Sequence, residues 1–276
     1  MSNTLDIKRF GKVIKRDAYN FINNMGLSLI IILAIPVVIW LFRSLTPGDG
    51  QFEPFSRISL INVLTTIIVM LAPARLYKNC NDPRNGIGYA MLPASTLEKF
   101  LSMVFYCVIV TPIIYIAGAL TIDTILTVIG GPYRGYAISE FFNVNEQIRD
   151  VLSRSYLDDS SPLVFSNISP AFYMFTSFLG TLTVASIFMF GNMLFKKRKT
   201  GKMLGIIIAL FIILMVILIN VLNNHVYNIN ATTESEVIYI FRRIILFFMN
   251  LMIYVEIFIS ALMLWGTYRK IKTQKY

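Results

Sequence analysis

Histidine occurs once in this sequence, as His225, and cysteine twice, as Cys80 and Cys107. Metal sites built from these residue types need three or four ligands at short spacing, and no such set exists here. The two cysteines fall in a connection and in an apolar run respectively, an arrangement unsuited to a disulfide. No Ser/His/Asp, Cys/His or His-Glu-x-x-His arrangement is available, which disfavours a hydrolase. No G-x-x-x-x-G-K-[ST] loop is present either, so the chain is expected to bind no cofactor of its own, ATP included. Charge is scarce as well. Only 14% of the residues are Asp, Glu, Lys or Arg, against about a quarter in soluble domains.

Apolar side chains take up the difference: 56% of the chain is hydrophobic and the mean hydropathy is +0.65. They are gathered into six blocks, 26–42, 58–76, 100–122, 171–195, 203–222 and 244–265. Each is near the ~20 residues a helix needs to cross the hydrocarbon core. One such block could be a buried core helix, but no soluble fold has polar surface enough to cover six. Nothing shows the ten-residue alternation of a membrane β-barrel. The fold class expected is an all-α polytopic membrane protein with six transmembrane helices, residues 1–276 forming a single transmembrane domain.

Lys and Arg give the orientation. With the N-terminus inside, Lys8, Arg9, Lys12, Lys15 and Arg16, then Arg75, Lys78, Arg84 and Lys99, then the run from Lys196 to Lys202, then Arg269, Lys270, Lys272 and Lys275 all face the cytoplasm. That is eighteen of the 25 basic residues. The positive-inside rule therefore predicts two cytoplasmic termini. The net charge of +10 is accounted for by this distribution beside anionic membrane lipids, with no nucleic acid required. The expected location is a bacterial cytoplasmic (inner) membrane, and the first 25 residues lack the form of a cleaved signal.

Two connections have patterns of their own. Over residues 1–25, Ile7, Phe10, Ile14, Ala18, Phe21 and Ile22 fall on one side of a helix, and Lys8, Arg9, Lys12, Lys15 and Arg16 on the other. A basic amphipathic helix just before a span predicts one lying in the inner interface. The extracytoplasmic loop 123–169 carries a second such pattern at Phe141, Val144, Ile148, Val151 and Leu152. Asp123, at its start, is expected to be reached by water.

The cytoplasmic segment 77–99 separates the second and third blocks. Asn81 or Asp82 can cap a helix whose first position is Pro83, where the missing N–H costs nothing. Ile87 and Met91 share one face, and Pro93 ends the helix near Leu92. Ser95 and Glu98 then have the spacing of a capping box opening the third span. The order Asp82-Pro83-Arg84, Gly86, Leu92-Pro93-x-Ser95, Glu98-Lys99 resembles the first cytoplasmic loop of ATP-binding cassette exporter permeases of the type-two group. These export drugs, peptides and polysaccharides. The span count and the amphipathic N-terminal helix are similar to that group too, although its outer loop often lies between the last two spans rather than after the third. The resemblance implies that the loop is a coupling helix seated in a separate ATPase subunit. That partner holds ATP and Mg, and two permease chains, identical or different, form one pathway. Asp82, Pro83, Arg84, Gly86, Ile87, Met91, Leu92 and Pro93 would then make the contact.

Within the blocks, Glu256 is the acid expected well inside a span, where an ionisable group is expensive and a functional candidate by default. A protonated Glu256 bonded to Asn220 or Asn250 is the structural alternative. Two other functions stay open beside the permease: a stand-alone secondary transporter or channel using Glu256, and a membrane assembly factor with no transport role.

Overall fold

The computed structural model describes residues 6–46, 52–81, 86–140, 170–226 and 234–273. The helices are α1 (Ile7–Leu45), α2 (Pro54–Leu76), α3 (Ile87–Ala90), α4 (Thr96–Val104), α5 (Thr111–Ile129), α6 (Ala137–Glu140), α7 (Pro170–Leu194), α8 (Lys199–Val226) and α9 (Glu234–Thr273). A π-helical turn, Phe105–Val110, joins α4 to α5 without a break. Among the described residues six helical segments are long and apolar enough to cross a membrane. The six apolar blocks of the sequence fall on these six, with ends that differ by up to eight residues except at the first, whose helix begins 19 residues before its block.

The first helix departs from expectation. The amphipathic segment does not end near residue 25; α1 runs for 39 residues with no interruption there, roughly 58 Å at 1.5 Å per residue. Even at a tilt of about 40° it would cover about 44 Å along the membrane normal, more than the ~30 Å hydrocarbon core. Part of α1 therefore stands outside the core. One buried stripe runs along it from the second turn to Pro36: Val13, Asp17, Phe21, Met25, Leu29, Ile32 and Pro36. Of the apolar face read from sequence, Phe21 is buried and Phe10, Ile14 and Ala18 are half-buried, whereas Ile7 and Ile22 are exposed. Lys12 is exposed, as the polar side predicts.

α2 is the central element, packed on α1, α5 and α7, and α9 lies chiefly along α7. Met25, Ile68, Val69, Met103, Tyr115 and Met189 bring five segments into one fully buried core. Small residues set the spacing, as in other membrane helix pairs. A Cβ on Gly266 of α9 would stand 2.7 Å from the Phe190 ring of α7, and one on Gly191 would stand 2.9 Å from Met203. α8 is the outermost helix, with apolar side chains exposed from Leu204 to Ile219. Only hydrocarbon solvates such a helix well.

The bundle has two distinct ends. At one, Asp6 of the α1 N-terminus meets Glu98, the Asn81 amide donates to Met193 O at 2.8 Å, and Tyr268 of α9 packs edge-on against Phe100. The beginning of α1, the 77–99 segment, the α7–α8 turn and the end of α9 thus share that end. At the other, Trp40 donates to Gly130 O at 3.1 Å and Tyr133 to Pro36 O at 3.1 Å. Gly130 and Gly131, both at φ 89, make the turn after α5 in a conformation that glycine alone adopts without strain.

That second end corrects the expected start of the outer loop. Residue 123 lies inside α5, which continues to Ile129, and Asp123 is only 3% exposed. Its carboxylate accepts from Arg57 Nη1 at 2.9 Å and from the Ala137 N–H at 3.1 Å. Arg57, 2% exposed, also donates to Thr127 Oγ1 and to the carbonyls of Arg134 and Gly135 and stacks over the Tyr133 ring. Water is replaced by these partners, which is what lets two opposite charges stay buried. The helix expected over 141–152 lies outside the described residues.

Candidate functional site

Sequence-predicted residues meet first at the basic end. Asp17, one turn after Val13 on the buried stripe, is 3% exposed and receives four hydrogen bonds. Arg16 donates to its Oδ1 through Nε at 2.9 Å and Nη2 at 2.6 Å. Tyr77 at 3.0 Å and Ser102 at 2.6 Å donate to Oδ2. Those donors come from α1 itself, from the residue that ends α2, and from α4. A single carboxylate therefore pins the N-terminal helix to both flanks of the 77–99 segment.

A second carboxylate repeats the construction. Glu98, fully buried, closes the expected capping box: its Oε2 accepts from the Ser95 N–H at 2.8 Å, and Ser95 Oγ accepts from the Glu98 N–H at 3.2 Å. Its other oxygen accepts from the Asp6 N–H at 2.9 Å and Arg9 Nη2 at 3.3 Å. Tyr106 adds a bond to Ile14 O at 2.9 Å. The start of span three and the start of α1 are thus one hydrogen-bonded unit.

Between these anchors lies the predicted coupling segment. Asp82, Pro83 and Arg84 are outside the described residues. Gly86 is buried, and Ile87 opens α3, which has four residues. Tyr89 is the fixed point: Lys99 Nζ donates to its carbonyl at 2.9 Å, the Tyr77 ring meets it edge-on, and Arg16 and Lys99 lie over its ring. Leu92 is half-buried against the core, Pro93 is exposed, and Met91 is 77% exposed. Of the expected short proline-bounded helix, the described residues show a single turn, Ile87–Ala90, held by side-chain anchors. An exposed methionine on so well-held a turn is an apolar contact offered outward.

Burial also governs the chemistry of this end. The Cys80 thiol, beside these cations, is pushed up to about 12 by burial. Burial and the neighbouring Asp17 likewise raise the Tyr77 hydroxyl well above its ordinary value.

Glu256 lies elsewhere, twelve residues before Tyr268 and so about 18 Å along α9 from the basic end. It opens onto a cavity of about 590 Å³ bounded by α2, the π-turn, α5, α7 and α9. That is within the range of ligand pockets, about 300–1,000 Å³. Pro112 explains part of its shape. With no N–H, it cannot bond the Val108 carbonyl, and the helix widens instead, Thr111 bonding back five residues to Tyr106 O through both its N–H and its hydroxyl. Val108, Ile109 and Pro112 all line the cavity. π-turns inside helices often occur at functional sites. Among the described residues, no hydrogen bond or ion pair reaches the Glu256 carboxylate, and none comes from Asn220; its contact with α7 is through its own carbonyl, to Thr183.

Sequence reasoning missed Asp17, Arg57 and Tyr89. Asp17 left one trace, an acid four residues from Val13 and from Phe21 in an otherwise basic helix. Comparison with protein-family models, with curated proteins and with solved structures found no match.

Proposed function

We propose that this chain is the membrane-spanning permease subunit of an ATP-binding cassette exporter, energised by a separate ATPase that docks on the 77–99 segment at a cytoplasmic face. The observation that carries this reading is the double carboxylate anchor. A force applied to the turn at Tyr89 passes through Lys99 and Arg16 into α4 and α1 with no compliant linker between. The sequence resemblance in the same segment points the same way, as does the charge distribution, which predicts one cytoplasmic face for both termini and this segment. Met91 and Gly86 form the contact, with Asp82 and Arg84 flanking it. Two copies of the chain, or one with a related chain, complete the pathway.

Copurification tests it. From native membranes, wild-type chain should bring down a nucleotide-binding subunit. Met91→Asp, on an exposed side chain that the fold does not need, should reduce that recovery at least fivefold while membrane levels stay normal. Gly86→Trp should do the same if it folds. The lone Glu256 carboxylate favours a second reading, a secondary transporter driven by protons. Transport in vesicles that persists without any ATPase or ATP would decide for it.

A further inference from the structure

The lining of the Glu256 cavity restricts what can bind there. The hydroxyl of Thr65 donates to Ile61 O at 2.7 Å, that of Thr66 to Asn62 O at 3.0 Å, and that of Thr181 to Ser177 O at 2.9 Å. A hydroxyl hydrogen committed to its own helix leaves only lone pairs to face inward. Glu256 adds a carboxylate, and among the described residues no Lys, Arg or His lines the cavity. Among the described residues the wall is thus rich in acceptors and carries an acid without a base, with Asn62 and Ser177 the side chains whose donors are not committed to a neighbour. An anion would be repelled, and a neutral acceptor would find few donors. A cation fits both properties, since a carboxylate removed from water favours a nearby opposite charge.

The rest of the cavity decides the body of that cation. Ile109, Ile113 and Phe178 line it and are themselves 39%, 60% and 47% exposed, at the level of the spans. The cavity therefore opens sideways, between apolar side chains, into the region a bilayer would fill. A strongly hydrated ion has no advantage on that route, whereas an amphiphile arrives by partitioning.

We propose that this cavity is a binding site for a lipophilic cation, with Glu256 as its counter-charge and the threonine oxygens as the polar wall. The site deepens the permease reading by naming the class of its substrate, and rests on it for the purpose of binding but not for binding itself.

The test uses the purified full chain in nanodiscs of zwitterionic lipid, without any ATPase, and radiolabelled tetraphenylphosphonium as probe. Tetraphenylborate, of the same shape and opposite charge, is the control. Saturable binding of the phosphonium at one site per chain, with none of the borate, is expected. Glu256→Gln should weaken binding at least tenfold. Gly180→Leu keeps the carboxylate but fills the space beside it, since a Cβ there already stands 4.0 Å from Glu256 Oε1; it should weaken binding comparably. Both variants are checked for an unchanged melting transition, and Glu256→Asp should retain part of the affinity. No saturable binding by wild type, equal binding of the borate, or undiminished binding by Glu256→Gln overturns the proposal. Absence of cation binding together with loss of transport in Glu256→Gln would give the carboxylate to a proton instead, and also overturns it. Because no ATPase is involved, failure here leaves the permease reading untouched, and failure to recover an ATPase leaves this site untouched.

Discussion

A carboxylate that is 3% exposed must have its charge met by the protein, and Asp17 is met by Arg16, Tyr77 and Ser102. Removing it strands a guanidinium and two hydroxyls, so Asp17→Ala should cost about 3 kcal/mol of stability. Ser102→Ala, which removes one donor, should cost about 1 kcal/mol. Denaturation in detergent measures both, and an Asp17→Ala protein as stable as wild type contradicts the anchor. The sequence pointed only faintly to this residue because its partners Tyr77 and Ser102 lie far along the chain, beyond any helical spacing. Charge counting sorted the segment as a basic helix and passed over the one acid on its buried side. Cys80 supplies a second test at this scale. With its thiol at about 12 against an ordinary 9.0, its thiolate at pH 8 is about a thousandfold scarcer than usual. Maleimide should label neither Cys80 nor the buried Cys107 in folded protein, and both after denaturation in SDS. The sign follows for stability: a folded-state value above the unfolded one stabilises fully below about pH 9 and is lost as pH rises towards about 12. A melting temperature that climbs above pH 9 would run against this.

Helices were the most legible level, because a block of ~20 apolar residues has few alternatives in a membrane. The Ser95–Glu98 capping box was legible too, since both partners are local. Helix ends were not: α1 runs through the expected boundary at 25 even though Gly26 stands there, and α5 continues past the expected one at 123, where no proline or glycine occurs before Gly130. Close helix packing was equally hidden, because a glycine in a span looks the same whether it faces lipid or a neighbour. Gly266→Ala gains about 1 kcal/mol of helix propensity but forces a Cβ to 2.7 Å from the Phe190 ring, and overpacking costs about 1–3 kcal/mol. Gly180→Ala meets nothing nearer than 4.0 Å and keeps the gain alone. The expected order of thermal stability is Gly180→Ala at or above wild type, with Gly266→Ala below both. A Gly266→Ala protein more stable than Gly180→Ala would show that α7 and α9 are not held this closely.

At the scale of the molecule, each end has its own electrostatic lock. Arg57–Asp123 closes one end over the turn at Tyr133; Asp17 and Glu98 tie α1 to α4 at the other. Between them lies the cavity that holds Glu256. On the permease proposal, a push on the 77–99 turn would be carried into α1 and span three and would change the space between the spans. The charge pattern made the two ends legible from sequence. What each end is fastened with was not, because those bonds join residues that only the fold brings together. The most direct test of the permease proposal is site-specific photocrosslinking in native membranes, with the photoreactive residue placed at Met91, at Lys197, and at Tyr136 of the opposite end. The expected result is a nucleotide-binding ATPase captured strongly from Met91, less from Lys197 and not at all from Tyr136. Capture of no nucleotide-binding chain from Met91, in membranes where the protein is folded and active, would contradict it.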